Sequence, residues 1–361
     1  MKQIIFVHLL NDFSGSPKVL SQVVDAIKRD GQEPVLYTGK GESGFLSNKT
    51  SKHKNFYYKR SENRYITLFN FMLSQQILFF KLLKYFNKDV VIYVNTMLPF
   101  GAGLAGLIMR KPVYYHVHEI SLTPVTLKRF LRGIIQLTAQ KVIYVSEAVR
   151  ALETFKNKRS YVIHNALPSE FARKNDDLNP HTFAGQFNIL MIGSLKAYKG
   201  VYEFLEIAER LRENTSLNFN LILNAEKDEI DSFFKDMSVS PNVSLIPRQK
   251  NVVSFYKNAN LVLNLSRIDK WVETFGLTII EALAFGIPVI VPPVGGPAEI
   301  VRNGKEGYLI SSYEIEEIVR KIQMLSHDKN KWEELSKNAL KRSLDFSEER
   351  FNMKIMASIN A

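Results

Sequence analysis

The feature that most constrains the fold is an alternation of short apolar runs and helical periods that occurs twice. Residues 3–9, 34–37, 90–94, 113–117, 142–145 and 161–163 are apolar runs too short for helices, rich in Val, Ile and Tyr. Between them lie segments with helical spacing, such as Val19, Leu20, Val23, Val24 and Ile27 behind Pro17. Residues 168–186 break the pattern with Arg173-Lys174-Asn175-Asp176-Asp177 and little apolar content, which reads as a linker. The alternation then restarts with expected strands at 188–192, 220–223, 243–246, 261–265 and 288–291, and ends in two or three helices between 314 and 358. Strands alternating with helices at this spacing predict a parallel, doubly wound α/β sheet. The chain therefore reads as domain 1–167, linker 168–186, domain 187–345 and a C-terminal helix 346–361 that could cross back to the first domain. Ligands are expected at the carboxyl ends of the strands.

The stretch 271–288, Trp-Val-Glu-Thr-Phe-Gly-Leu-Thr-Ile-Ile-Glu-Ala-Leu-Ala-Phe-Gly-Ile-Pro, carries the strongest chemical pattern. With Glu273 at a helix N-terminus and Glu281 two turns in, the carboxylates would stand about 12 Å apart along the axis and roughly 80° apart around it. So placed, they could hold hydroxyls at both ends of an extended ligand. First-turn amides near Gly276 could meet an anion between them. A nucleotide sugar has that layout; a surface helix with two solvated glutamates is the plainer reading.

Charge is unevenly placed. The net charge is +12, yet residues 1–180 carry 26 Lys/Arg against 13 Asp/Glu, whereas 181–361 carry 22 against 23. A basic first half suits anionic lipid, nucleic acid or a polyanionic substrate, or is simply a soluble surface. The absence of cysteine excludes disulfides, thiolate metal sites and a cysteine nucleophile, and fits a reducing compartment. Residues 1–8 make a poor signal peptide, and no stretch of about 18 residues is free of polar side chains. No Gly-x-Ser-x-Gly elbow, His-Glu-x-x-His pair or carboxylate cluster is present, so neither a serine hydrolase nor a metal site is expected.

Five motifs in order carry a resemblance to the retaining glycosyltransferases of family 4, which have the GT-B fold of two facing Rossmann-like domains with an interdomain cleft. They are His116-Val-His118-Glu119, Val162-Ile-His-Asn165, the loop Gly193-Ser194-Leu-Lys196-Ala-Tyr-Lys199-Gly200, Glu273-Thr274-Phe275-Gly276-Leu277 with Glu281, and Gly295-Gly296-Pro-Ala-Glu299. They span most of the chain. The resemblance implies that Glu273 holds donor-sugar hydroxyls, Glu281 binds the ribose, His118 sits near the transferred sugar, and Lys199 stabilises the leaving diphosphate. It also implies metal-independent transfer, with the nucleotide sugar as a substrate and no cofactor, and the expected donor is a UDP-sugar. The family's arginine after the first glycine is Ser194 here, and Lys196 is the candidate to replace its charge. Gly15, in Ser14-Gly15-Ser16, stands where the family has a glycine-rich phosphate loop, and an ordinary turn explains it equally well. Arg248 stands where the family's loop passes the nucleobase, and a surface role is as plausible. Glu119 either orients the acceptor or holds a loop.

Lys49, Lys52, Lys54, Lys59, Arg60 and Arg64 surround Phe56-Tyr57-Tyr58, beside an expected long apolar helix at 65–86. Residues 49–86 therefore suit peripheral contact with an anionic membrane, although most of the helix is expected to pack inside its domain. The expected activity is transfer of a sugar to a saccharide hydroxyl, with a lipid-linked acceptor at the cytoplasmic membrane face as one option. A catalytically degenerate sugar-nucleotide-binding subunit and a basic nucleic-acid-binding protein are the alternatives. The last lacks any recognised nucleic-acid module, so no nucleic acid is expected.

Overall fold

The computed structural model describes residues 2–41, 43–167, 171 and 185–361. It divides into two units, one of residues Met1–Asn165 with Glu349–Ala361, the other Ala166–Glu348. The expected linker 168–186 lies almost wholly outside the described residues.

Unit 1 runs β1 (Gln3–His8), α1 (Gly15–Arg29), β2 (Val35–Gly39), β3 (His53–Phe56), α2 (Arg64–Leu82), β4 (Val90–Asn95), α3 (Phe100–Ile108), β5 (Val113–Val117), α4 (Val125–Thr138), β6 (Lys141–Tyr144), α5 (Glu147–Leu152) and β7 (Arg159–Val162). Its seven strands lie in the order β3-β2-β1-β4-β5-β6-β7, with parallel pairing throughout. β1, β2, β4 and β5 are buried along nearly their whole length. Burial on both faces is why they read as continuous apolar runs rather than alternating ones. The order reverses between β1 and β4, which makes their carboxyl ends the switch point of this sheet.

Unit 2 runs β8 (Phe187–Gly193), α6 (Val201–Arg210), β9 (Leu217–Leu223), α7 (Lys227–Phe234), β10 (Val243–Ile246), α8 (Val253–Asn258), β11 (Leu261–Leu263), α9 (Leu277–Ala284), β12 (Val289–Val291), α10 (Gly296–Ile300), β13 (Gly307–Leu309), α11 (Ile315–His327) and α12 (Lys329–Ser343). Its order, β10-β9-β8-β11-β12-β13, reverses between β8 and β11. The core packs Ile189, Met191, Phe204, Phe219, Leu221, Leu263, Ile290 and Trp332, and the Trp332 indole donates to the Asn260 carbonyl at 2.7 Å. The last helix, α13 (Glu348–Asn360), belongs to unit 1, where the ammonium of buried Lys141 donates to the Ser358 carbonyl at 2.8 Å.

Two local expectations change. The helix after Gly276 begins only at Leu277, so Glu273 precedes it in irregular chain and Glu281 lies little more than one turn inside. The two-turn spacing does not hold: Gly276, at φ +111°, adopts a left-handed conformation that ends the extended segment and starts the helix abruptly. The second change concerns α2. It is not the mostly internal helix expected, because Tyr65, Ile66, Leu68, Phe69, Met72 and Phe80 are exposed.

Candidate functional site

Each unit gathers its chemistry at its own switch point. In unit 2, the loop after β8 and the loop after β11 are tied together where the Arg267 amide donates to the Tyr198 carbonyl at 2.9 Å. The rings of Tyr198 and Trp271 stack with centroids 5.1 Å apart. On this base the Lys199 ammonium donates to Glu273 Oε2 at 2.5 Å and stands over the Trp271 ring, 5.3 Å from its centroid. Buried Ser266 gives Glu273 a second donor at 3.3 Å. Glu273 and Lys199 side chains retain 17% and 20% exposure, enough to reach a ligand from a largely dry setting. The structure thus joins two residues that stand 74 positions apart.

The glycine pair 295–296 shapes this segment. Gly296 N–H donates to the Glu273 carbonyl at 2.9 Å. A Cβ on Gly295 would lie 2.4 Å from that same carbonyl oxygen, and one on Gly296 would lie 2.3 Å from Phe275 Cα. Only backbone without side chains lets the two loops approach so closely. The Gly276 carbonyl accepts from Ile279 N at 3.1 Å, so the amides of Leu277 and Thr278 stand in the first turn, outside the helix's own ladder.

Glu281 is 4% exposed and accepts the Tyr256 hydroxyl at 2.9 Å. Burial first, and then the Glu281 carboxylate, push that phenol well above its ordinary range. Glu281 is therefore held by a specific donor, neither solvated nor on an open helix face. Phe275 is buried against Phe346, so any part it plays in binding is through its backbone; Thr274 and Leu277 are half-buried beside it. Ser194 is half-buried and Lys196 exposed on the Gly193–Gly200 loop. Arg248 donates to Asn224 Oδ1 at 2.7 Å and lies 3.4 Å from Glu226. It follows β10, the edge strand two strands from the switch point, and the structure does not bring it to Glu273.

Unit 1 assembles a second group of residues. The side chain of buried Asn95, the last residue of β4, bonds three partners. Its Oδ1 is 2.9 Å from His118 Nε2, and its amide nitrogen donates to the Ser16 carbonyl at 3.1 Å and lies 3.1 Å from His8 Nδ1. One side chain therefore links the ends of β1 and β4, the first turn of α1 and the residue after β5. Gly15 is exposed at the start of α1. His116 and His118 share a face, with rings 4.3 Å apart, and His116 Nδ1 is 2.9 Å from the Tyr93 hydroxyl. Burial holds His8 down to about 4 and His116 to about 3. His118 is held well below its usual range by burial and then by His116 and His8. All three are neutral at pH 7. Glu119 Oε2 accepts the amides of Met97 and His118, each at 3.2 Å, and burial raises its pKa to about 7. It holds the turn after β4 against the end of β5.

Sequence reasoning did not single out Asn95, His8, Tyr256, Ser266 or Trp271. For His8 and Asn95 a signal existed, a polar residue closing an apolar strand run at a carboxyl end. For Tyr256 and Ser266 no sequence spacing predicts the contact.

Two Rossmann-like units, each with polar side chains at its switch point, fit the GT-B class of glycosyltransferases. The chain belongs to family 4 of these enzymes: residues 13–171 match the model Glycosyltransferase Family 4, and residues 173–342 match Glycosyl transferases group 1. The capsular polysaccharide biosynthesis glycosyltransferase CapM of Staphylococcus aureus is 27% identical over 73% of this chain and 74% of its own. A Campylobacter jejuni enzyme, named as an α-1,4-N-acetyl-D-galactosaminyltransferase acting on a diNAcBac-PP-undecaprenol-linked saccharide, is 22% identical over 96% of this chain and 95% of its own. Among solved structures, Anabaena HepE in complex with UDP and glucose superimposes with a TM-score of 0.81 at 20% identity, covering 100% of both chains. The protein is accordingly a glycosyltransferase that acts on nucleotide sugars.

Proposed function

We propose that the protein transfers a sugar from a UDP-sugar, with retention of anomeric configuration and without a metal, to a hydroxyl of a lipid-linked saccharide during cell-surface polysaccharide assembly. The observation that carries this reading is the Lys199–Glu273 pair at 2.5 Å, with buried Glu281 on the adjoining helix. Lys199 and the first-turn amides after Gly276 supply positive charge for the departing diphosphate. Glu273 accepts hydroxyls of the sugar and Glu281 accepts a ribose hydroxyl. The anomeric C–O bond to the diphosphate breaks and the acceptor oxygen bonds to the same face of that carbon. The acceptor proton passes to the leaving phosphate oxygen. No protein nucleophile is needed in this scheme.

The solved complexes of HepE with UDP and with UDP-glucose support the choice of nucleotide. The names of the Staphylococcus and Campylobacter relatives support a polysaccharide product and an undecaprenol-linked acceptor. The basic first half supports work at the cytoplasmic face of a membrane.

A thermal-shift screen of nucleotide sugars tests the reading. A UDP-sugar at 100 times its Kd should stabilise wild type by about 2.7 kcal/mol, and Glu281→Ala should lose that shift. Lys199→Met should keep most donor binding and lose on the order of 100-fold in kcat. Proton NMR of the first product gives the anomeric configuration. No shift with any nucleotide or nucleotide sugar refutes the proposal. Binding without transfer to any acceptor would identify a sugar-nucleotide-binding subunit, the reading that Ser194 in the arginine position favours.

A further inference from the structure

α2 is amphipathic in the wrong direction for a helix in water. At 100° per residue, Tyr65, Ile66, Leu68, Phe69, Met72, Gln76 and Phe80 fall within roughly 160° of the circumference. All seven are exposed. The opposite arc holds Asn70, Phe71, Ser74, Gln75, Leu78 and Leu82, all buried. Half of that buried set is polar, and each polar member is used. Asn70 donates to the Lys59 carbonyl at 3.0 Å, Gln75 donates to Ser74 Oγ at 3.0 Å, and Gln75 Oε1 accepts the Gly101 amide at 3.1 Å. A Cβ on Gly101 would lie 2.2 Å from the Gln75 carbonyl oxygen, so α2 is locked closely onto α3. With the 3-10 turn that follows it, α2 is long and apolar enough to cross a membrane, but this polar, close-packed face holds it against α3 and the segment at Lys59. Its apolar arc is what faces outward.

The neighbours continue the surface. α2, α3 and α4 pack side by side. Leu107 and Ile108 of α3 and Val125, Phe130 and Leu137 of α4 are also exposed. None of the three helices contains an aspartate or glutamate. Residues 43–88 hold nine Lys/Arg and one acid, Glu62, and Lys59, Arg60 and Arg64 are exposed at the start of α2. The face does not coincide with the stretch 49–86 that composition suggests. Phe56 is buried in β3, and Lys49 is paired with Asp25 at 2.6 Å.

We propose that the α2–α3–α4 face of unit 1 seats on the surface of an anionic bilayer, its aromatic and aliphatic side chains in the headgroup boundary and its rim of lysines and arginines on lipid phosphates. Exposed apolar side chains on three neighbouring helices that carry no acid match a bilayer in both polarity and charge. The inference deepens the lipid-linked acceptor reading and rests on that reading for its purpose.

Co-sedimentation of the full chain with vesicles tests it, using phosphatidylcholine alone and phosphatidylcholine mixed with phosphatidylglycerol. Wild type should bind the anionic vesicles, bind neutral ones far less, and release with salt. Phe69→Ser with Phe80→Ser, at sites 67% and 69% exposed, should lower partitioning about tenfold or more while leaving the fold intact. Arg60→Gln with Arg64→Gln should lower it on anionic vesicles only. Absence of binding to anionic vesicles, or binding unchanged by the phenylalanine pair, overturns the proposal. So does a dimer in vesicle-free solution that the same pair dissociates, which would put a second copy of the chain on this face. UDP-induced thermal shifts measured on the same samples separate the two ideas. Wild type that fails to bind anionic vesicles yet keeps its UDP shift refutes the surface, and wild type that binds vesicles without any UDP shift refutes the donor reading.

Discussion

The Tyr256–Glu281 contact offers the sharpest test of the donor end of unit 2. Tyr256→Phe removes one hydroxyl, which donates at 2.9 Å to a carboxylate that is 4% exposed. The ring remains, stacked on Phe285 with centroids 5.7 Å apart, so packing is nearly unchanged. A hydrogen bond to a charged acceptor contributes about 1.5–3 kcal/mol, and its loss leaves a buried carboxylate short of a donor. Taking about 2 kcal/mol, a unit of this size should melt roughly 4–8 °C lower. Glu281 also loses a contact that helps to fix its orientation, so UDP binding should weaken by about tenfold. Denaturant unfolding followed by tryptophan fluorescence gives the first quantity and isothermal titration with UDP the second. If Tyr256→Phe has wild-type stability and wild-type UDP affinity, the hydroxyl does not hold the carboxylate, and the account of Glu281 as a positioned acceptor fails. Lost stability with unchanged affinity would leave Tyr256 purely structural.

Two further expectations follow from the same geometry. Gly295→Ala adds a methyl 2.4 Å from the Glu273 carbonyl oxygen at a φ of +74°, so it should displace the Glu273 segment, cost more than about 2 kcal/mol and abolish UDP-sugar binding. Gly31→Ala, at φ +81° with nothing within 4 Å, should cost only about 1 kcal/mol and leave binding intact; equal effects in a parallel titration would refute the close-approach argument. The pH response of unit 1 has a definite sign. His8 and His116 are depressed to about 4 and 3, so below the unfolded value near 6.5 the unfolded chain takes up protons that the folded chain refuses. Stability then falls with pH, by about 2 kcal/mol per histidine between pH 7 and 5. Glu119, raised to about 7, opposes this by a similar amount over the same interval, because the folded state binds its proton more tightly. Urea unfolding should therefore show a net loss of about 2 kcal/mol, deepened by His118, and Glu119→Gln should steepen it; a flat profile in both proteins would contradict the burial of these groups.

The sequence by itself determined the two doubly wound sheets, because strands buried on both faces must be continuous apolar runs and the helices between them must carry a 3.6-residue period. It also marked Glu273, Lys199, Glu281 and His118, through the resemblance of the motifs that carry them to the family 4 glycosyltransferases. The C-terminal helix was legible as a helix, but its place in unit 1 was decided by Lys141 reaching carbonyls more than 200 residues away. Tertiary structure alone decided the partners. The Lys199–Glu273 bond spans 74 positions and the Tyr256–Glu281 bond 25, and neither follows from a local period. It also decided where the helix after Gly276 begins, since a left-handed glycine resets the backbone in one residue. The orientation of α2 was likewise beyond periodicity. Composition shows an apolar helix with a few polar residues, and only packing against Gly101 shows that the polar residues face inward while the phenylalanines face out. Hydrophobic pattern reports which residues avoid water, but what they meet instead is set by the neighbours that the fold supplies.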